Sequence, residues 1–301
     1  MRSPALEIGL GGRARARRGA WITVLALGGA LGPSASVAAQ EPHLAARDAF
    51  LADAARAAAR YSDRGEAHAD GFRRLGPDFP GMGTHWVQTR RIVAGVLDGD
   101  RPAVLCYADI GGELRLIGLA YTLPLAPDES PPAEPLGLDV WHDHSGEVSE
   151  ESLLLSHPSS ISAPEPGFRL SMVHVWLPLT NPDGIFAQNN WRLPFLRAGL
   201  EVPSRLSSEA ARGVSLATSG IEYYRELLRW AVPEADDSEV IEAILRRRAG
   251  EAEALVESKR VLSPADLSAL AETWRGLWGD LERALAPAIY VRIAPLGSGH
   301  G

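Results

Sequence analysis

Pro102-Ala103-Val104-Leu105-Cys106-Tyr107-Ala108, Asp109-Ile110-Gly111-Gly112, then Glu113-Leu114-Arg115-Leu116-Ile117-Gly118-Leu119-Ala120-Tyr121-Thr122-Leu123 is the stretch that decides the fold. Two runs rich in Val, Leu, Ile and Tyr flank a short segment of Asp and Gly. Such side chains favour the pleated, half-buried environment of a strand, and a Gly-Gly pair supplies the backbone freedom of a tight turn. The stretch therefore reads as an antiparallel hairpin. Its consequence is a sheet of antiparallel type in the middle of the chain.

Upstream, Leu44 to Tyr61 reads as an alanine-rich amphipathic helix with Phe50, Leu51 and Ala55 on one side. Gly71, Gly76, Pro77, Pro80, Gly81 and Gly83 then predict a shaped loop that leads to His85. Downstream, the prolines and acids of Pro124 to Pro135 predict a surface loop. Leu136 to His144 reads as a strand, and Phe168 to Leu179 as a stronger one, with Met172, His174 and Trp176 on one face and Val173 and Val175 on the other. Asn181-Pro182-Asp183-Gly184 closes it as a turn. From Ser207 onward helix formers dominate. Ile221 to Ala231, Ser238 to Lys259 and Pro264 to Leu285 carry apolar residues at helical spacing, and Ser263-Pro264 sets a cap before a first-turn proline. The fold class expected is α+β: a central antiparallel β-sheet with a preceding helix and a mostly helical C-terminal region.

The first residues set the compartment. Arg13, Arg15, Arg17 and Arg18 form a basic run, Gly19 to Gly32 is apolar and of secretory length, and Val37-Ala38-Ala39 offers small residues for cleavage. The chain is thus divided into a signal peptide (1–39), an α+β domain carrying the His and Trp motifs (40–204) and a helical region (205–301). Export to the periplasm or the extracellular space follows. Arg17-Arg18 hints at the twin-arginine route, but the flanking residues fit it poorly and the general secretory route is the default. The leader holds five Arg against one Glu, so removing it takes the formal charge from −8 to −12. An acidic protein lacks the basic surface that nucleic acid or anionic lipid requires. No later stretch is long and apolar enough to serve as a membrane anchor. Cys106 is the single cysteine, which excludes an intrachain disulfide and leaves stability to the core.

Candidate chemistry centres on histidine. Trp141-His142-Asp143-His144 would put both imidazoles on one side of an extended segment, and Thr84-His85-Trp86 and Val173-His174-Val175-Trp176 each pair a histidine with a tryptophan. His43, His68, His157 and His300 stand in polar or loop surroundings. Two histidines two apart plus a third from another strand can make a three-nitrogen face for zinc, and copper or iron suit the same imidazoles. The expected ligands are therefore His85, His142, His144 and His174, with Asp143 or Glu147 orienting a ligand ring. In that reading the metal activates water or a small oxidant at an open position. The competing reading is a non-enzymatic module in which the histidines pack against carbonyls or carboxylates. Trp86, Trp141, Trp176, Trp191 and Tyr121 would then line a pocket for a small-molecule ligand or form a contact between copies in a homo-oligomer.

Other chemistries score lower. Cys106 reads as a packed core thiol, since no base adjoins it in sequence. There is no G-x-S-x-G elbow, and Gly81-Met82-Gly83 lacks the lysine of a phosphate loop. A cupin barrel also presents His-x-His, but it wants a glutamate four or five places on, whereas Glu147 and Glu150 stand three and six after His144.

Tyr61, Ala69-Asp70-Gly71-Phe72 and Gly81-Met82-Gly83-Thr84-His85-Trp86-Val87 follow a pattern of an A-x-G-[FY] step and then G-M-G-x-H-[WY]-V. It continues through Pro102 to Tyr107, Gly112 to Leu116 and Ala120-Tyr121, then His174-Val175-Trp176, Asn181-Pro182-Asp183-Gly184 and Phe186-Ala187. Over about residues 55 to 200 the chain resembles a family of exported bacterial proteins of uncharacterised function. The resemblance implies an α+β domain on an antiparallel sheet and makes the His85 and His174 segments family features; it implies no activity. This chain departs from many members in lacking cysteines near both motifs and in its helical tail after Arg205.

Overall fold

A computed structural model describes residues 35–143, 169–232 and 235–298. The expected ligand His144, the expected orienting residue Glu147 and most of the expected signal peptide lie outside these residues. Helix α1 (Ala35–Tyr61) and α2 (Arg64–Ala69) precede strands β1 (Arg73–Phe79) and β2 (Gly83–Val87). Helix α3 (Thr89–Ala94), strands β3 (Val104–Ile110), β4 (Glu113–Leu125), β5 (His142–Asp143) and β6 (Arg169–Val175) follow. The remaining elements are α4 (Leu193–Arg197), α5 (Ser208–Leu216), α6 (Gly220–Ala231), α7 (Ala235–Val256), α8 (Pro264–Ala284) and α9 (Pro287–Ser298).

The strands form one antiparallel sheet in the order β1-β2-β3-β4-β6-β5. The hairpin expected from Pro102 to Leu123 is its centre. Ile110 faces Glu113 across a two-residue Gly111-Gly112 turn with φ of +67° and +83°, which only glycine adopts without strain. The side chain of Asp109 accepts a hydrogen bond from the Gly112 N–H and fixes that turn.

Two expectations about the sheet need correction. The glycine- and proline-rich segment before His85 contains an edge strand, β1, and is not wholly loop. Its register runs from Leu75, opposite His85, directly to Asp78, opposite Thr84, so Gly76 and Pro77 sit in a bulge. A proline there forfeits no ladder hydrogen bond, and this is where a sheet tolerates one. Conversely, the strand expected over Leu136 to His144 shrinks, within the described residues, to His142–Asp143.

Each face of the sheet has its own cover. On one face Leu105, Tyr107, Leu119, Tyr121, Val173 and Val175 pack against Phe50, Ala54, Ala57, Ala58 and Tyr61 of α1. These helix positions recur at three- and four-residue intervals, and the alanines let the helix lie close. Ala55, expected on this side, is exposed, because five residues from Phe50 the helix has turned well away from the sheet. On the opposite face Phe79, Met82, Cys106, Ala108, Ile117 and Trp176 share a core with Tyr223, Tyr224, Leu270, Trp274, Leu277 and Leu281 of the C-terminal helices.

Helix α8 shows why that region is helical. Ser263 and Asp266 form a reciprocal capping box before the first-turn Pro264. Its buried residues Leu270, Trp274, Leu277, Trp278 and Leu281 then make one stripe. Helix α5, capped by Ser207, is buried almost throughout. Among the described residues no helix is long and apolar enough to cross a membrane.

Candidate metal centre

Strand alternation determines which side chains can meet. His85 on β2 stands opposite Cys106 on β3, and Cys106 stands opposite Gly118 on β4. Ala120, two residues beyond Gly118 and on the same face, stands opposite His174 on β6. His142 on β5 stands opposite Met172, two residues before His174. Four donor side chains from four strands therefore share one face of the sheet, the face on which Cys106 and Trp176 join the core of the C-terminal helices. Leu105, Tyr121, Val173 and Val175 point the other way.

The residues between the donors are small. Gly118 and Ala120 leave room over β4, so His174 can approach Cys106 across an intervening strand. A side chain at position 118 would also strike Trp176, because its Cβ would lie 2.8 Å from two atoms of the indole ring. The ladder is irregular here: Cys106 pairs with Gly118 but Tyr107 with Leu116, which leaves Ile117 as an extra residue on β4. Such bulges re-aim neighbouring side chains.

Three of the donors converge. Ligand atoms of His85, Cys106 and His174 all lie within 4.8 Å of one another. Cys106 is 0% and His174 1% exposed, while His85 is partly buried. Rings hold the imidazoles in place. Phe79 packs on His85 at 4.8 Å between centroids, and Trp176 on His174 at 5.5 Å. The two imidazoles are near parallel, 14° apart, with centroids 6.0 Å apart. The Trp176 indole N–H donates to the Ala187 carbonyl and its backbone N–H to the Ile185 carbonyl, so the segment after Asn181-Pro182-Asp183-Gly184 anchors the ring that supports His174.

His85 and His174 thus meet as expected. His142 is brought beside them: its ring stacks on His174 with centroids 5.1 Å apart, but it is not among the three donors that lie within 4.8 Å of one another. The carboxylate of Asp143, expected to orient a ligand histidine, accepts from the Arg169 guanidinium on the neighbouring strand. The five aromatics expected to line one pocket are divided between the two faces. Trp86, Trp141 and Tyr121 belong to the α1 side, and Trp176 and Trp191 to the helical side.

Cys106 is the residue that sequence reasoning missed. Burial in an apolar run made it read as core, and it is core; its partners are supplied by register. Only the pairing of β2 with β3 sets the thiol beside an imidazole, so no local motif carried the signal. The donor set of two imidazoles and a thiol fits zinc or copper, both of which accept nitrogen and sulfur ligands. An ion about 2.0–2.3 Å from each donor sets them about 3.5–4 Å apart, inside the 4.8 Å within which the three stand.

Elsewhere the polar groups have structural work. The Tyr61 hydroxyl donates to Asp70, to which Arg60 and Arg91 also donate. That hydrogen bond from Tyr61, with the two arginines, holds the Asp70 carboxyl below its usual range, against a smaller opposing effect of burial. Burial pushes the Tyr61, Tyr107 and Tyr121 hydroxyls up, so all three stay neutral. Compared with protein-family models, with curated proteins and with solved structures, the chain matches none.

Proposed function

We propose that this protein is an exported metal-binding protein that holds one transition-metal ion, zinc or copper, between His85, Cys106 and His174. The observation that carries this reading is the convergence of two imidazoles and the single thiol, from three strands, within 4.8 Å on a covered face of the sheet. Rings packed on both imidazoles support it, because donors held in place before the ion arrives lose little freedom on binding. Depth supports holding over turnover: with Cys106 and His174 buried, the ion is kept from bulk solvent on at least two of its sides. Export rests on the basic run Arg13 to Arg18, the apolar Gly19 to Gly32 and the small residues before Gln40.

The test is elemental analysis of the chain from Gln40 onward, loaded with zinc or with copper under reducing conditions and then desalted. About one ion per chain is expected in the wild type. His174→Ala and Cys106→Ala should lose it while keeping the wild-type circular dichroism. A wild type that retains no ion, or variants that retain as much as the wild type, would end the proposal.

A further inference from the structure

Resting on the metal-binding reading above, we infer that His142 is the residue through which the ion enters and leaves the site. It acts as a loading ligand, binding the ion in passage and giving it up to His85, Cys106 and His174. Position is the first ground. Cys106 and His174 are 0% and 1% exposed, whereas His142 is only partly buried and stands on β5, the last strand of the sheet. Its imidazole stacks on that of His174, with ring centroids 5.1 Å apart and 26° between the planes. A nitrogen donor at the sheet edge thus abuts a buried ligand.

The surroundings in the other directions are the second ground. Residues two places apart on a strand share a face. Val87 and Val104, paired with each other, lie two residues from His85 and Cys106 and belong to an apolar cluster at one end of the site. At the other end Ile117 and Trp176 share the apolar core that includes Cys106. Toward β1, Leu75 stands opposite His85 and Phe79 packs on its ring. An ion that passed such side chains would shed its water and gain no ligand, and lost hydration is the main cost of bringing charge inside. On the β5 side an imidazole replaces water before the buried donors take over.

The donors set the direction of transfer. His142 offers one neutral imidazole, whereas the inner set adds a thiolate to two imidazoles, so the ion is drawn inward. Transfer breaks the bond from the ion to His142, forms bonds to the three inner donors and sends the Cys106 proton to solvent. The charge of the ion does not change, so no oxidant or reductant is consumed. A group that lowers the barrier to passage speeds entry and exit by the same factor and leaves the equilibrium where it was.

The test is the kinetics of loading and release on the chain from Gln40 onward, under anaerobic, reducing conditions, with whichever of zinc and Cu(I) the wild type retains. Loading is followed by stopped-flow tryptophan fluorescence, since Trp176 packs on His174. Release is followed by transfer to a chromogenic chelator, extrapolated to zero chelator. In His142→Ala we expect both rates to fall roughly tenfold, with Kd unchanged and one ion still held per chain. His142→Phe keeps a ring beside His174 but brings no donor, and should be as slow. Faster release or a changed Kd in His142→Ala would make His142 a ligand that stays on the ion. Rates that do not fall, or that recover in His142→Phe, would make it a packing residue. Either result would overturn the inference and leave the metal-binding reading standing, whereas a wild type that retains neither ion would overturn both.

Discussion

The two faces of the sheet are built from alternate residues of the same strands, yet they differ in kind. On the α1 face the tyrosine hydroxyls have clear structural partners: Tyr107 donates to the Tyr61 carbonyl, Tyr121 to the Gly99 carbonyl, and Tyr61 to Asp70. These bonds tie helix, loop and sheet together. On the other face the same strands present a thiol and three imidazoles, gathered around a glycine and an alanine. A sheet that needed only a core would fill those positions with valine and leucine, as it does on the α1 side. The contrast separates residues that hold the fold from residues that the fold holds in place.

Substitutions on the two faces should therefore fail differently. The largest effect is expected for Leu105→Ala, which opens a cavity under α1 and should cost about 2–5 kcal/mol in denaturant unfolding. Its folded fraction should still bind metal at the wild-type ratio. Metal should stabilise the wild type by about 2.7 kcal/mol when free ion stands a hundredfold above Kd. Thermal unfolding with and without ion reads this directly. Cys106→Ala should unfold within about 1 kcal/mol of the metal-free wild type and show no such gain.

Gly118→Ala sharpens the comparison from inside the site. Its added Cβ meets the Trp176 ring at 2.8 Å, so it should cost about 1–3 kcal/mol and change tryptophan fluorescence, with weakened metal binding because Trp176 supports His174. The smallest effect belongs to Asp70, beyond the donor face. Its folded carboxyl has a lowered pKa, chiefly through the Tyr61 hydroxyl and then through Arg60 and Arg91. The stability this provides is complete above the unfolded value of about 3.9 and is lost as pH falls through the lowered folded value. Asp70→Asn should remove that part of the acid dependence of unfolding and leave metal binding as it was.

Much of this architecture is legible in local sequence. The hairpin around Gly111-Gly112, the capped helix after Ser263 and the alternation of Met172, His174 and Trp176 against Val173 and Val175 all report short-range physics. The edge strand β1 was hidden because Gly76 and Pro77 argue against a strand unless a bulge accommodates them. The site was half legible. His85 and His174 stand out beside their tryptophans, but Cys106 sits in a run that reads as core, and its neighbours come from a strand about twenty residues earlier in the chain and another far later. The ion pair of Asp143 with Arg169 was hidden for a related reason: adjacency to His142 in sequence says nothing of a residue on the neighbouring strand.

The central claim is that His85, Cys106 and His174 ligate one ion, and X-ray absorption at the metal edge of the loaded protein tests it most directly. The account expects a shell of one sulfur and two imidazole nitrogens, with the sulfur absent in Cys106→Ser and one imidazole fewer in His85→Ala. A first shell of nitrogen and oxygen alone in the wild type, indifferent to the loss of Cys106, would contradict it.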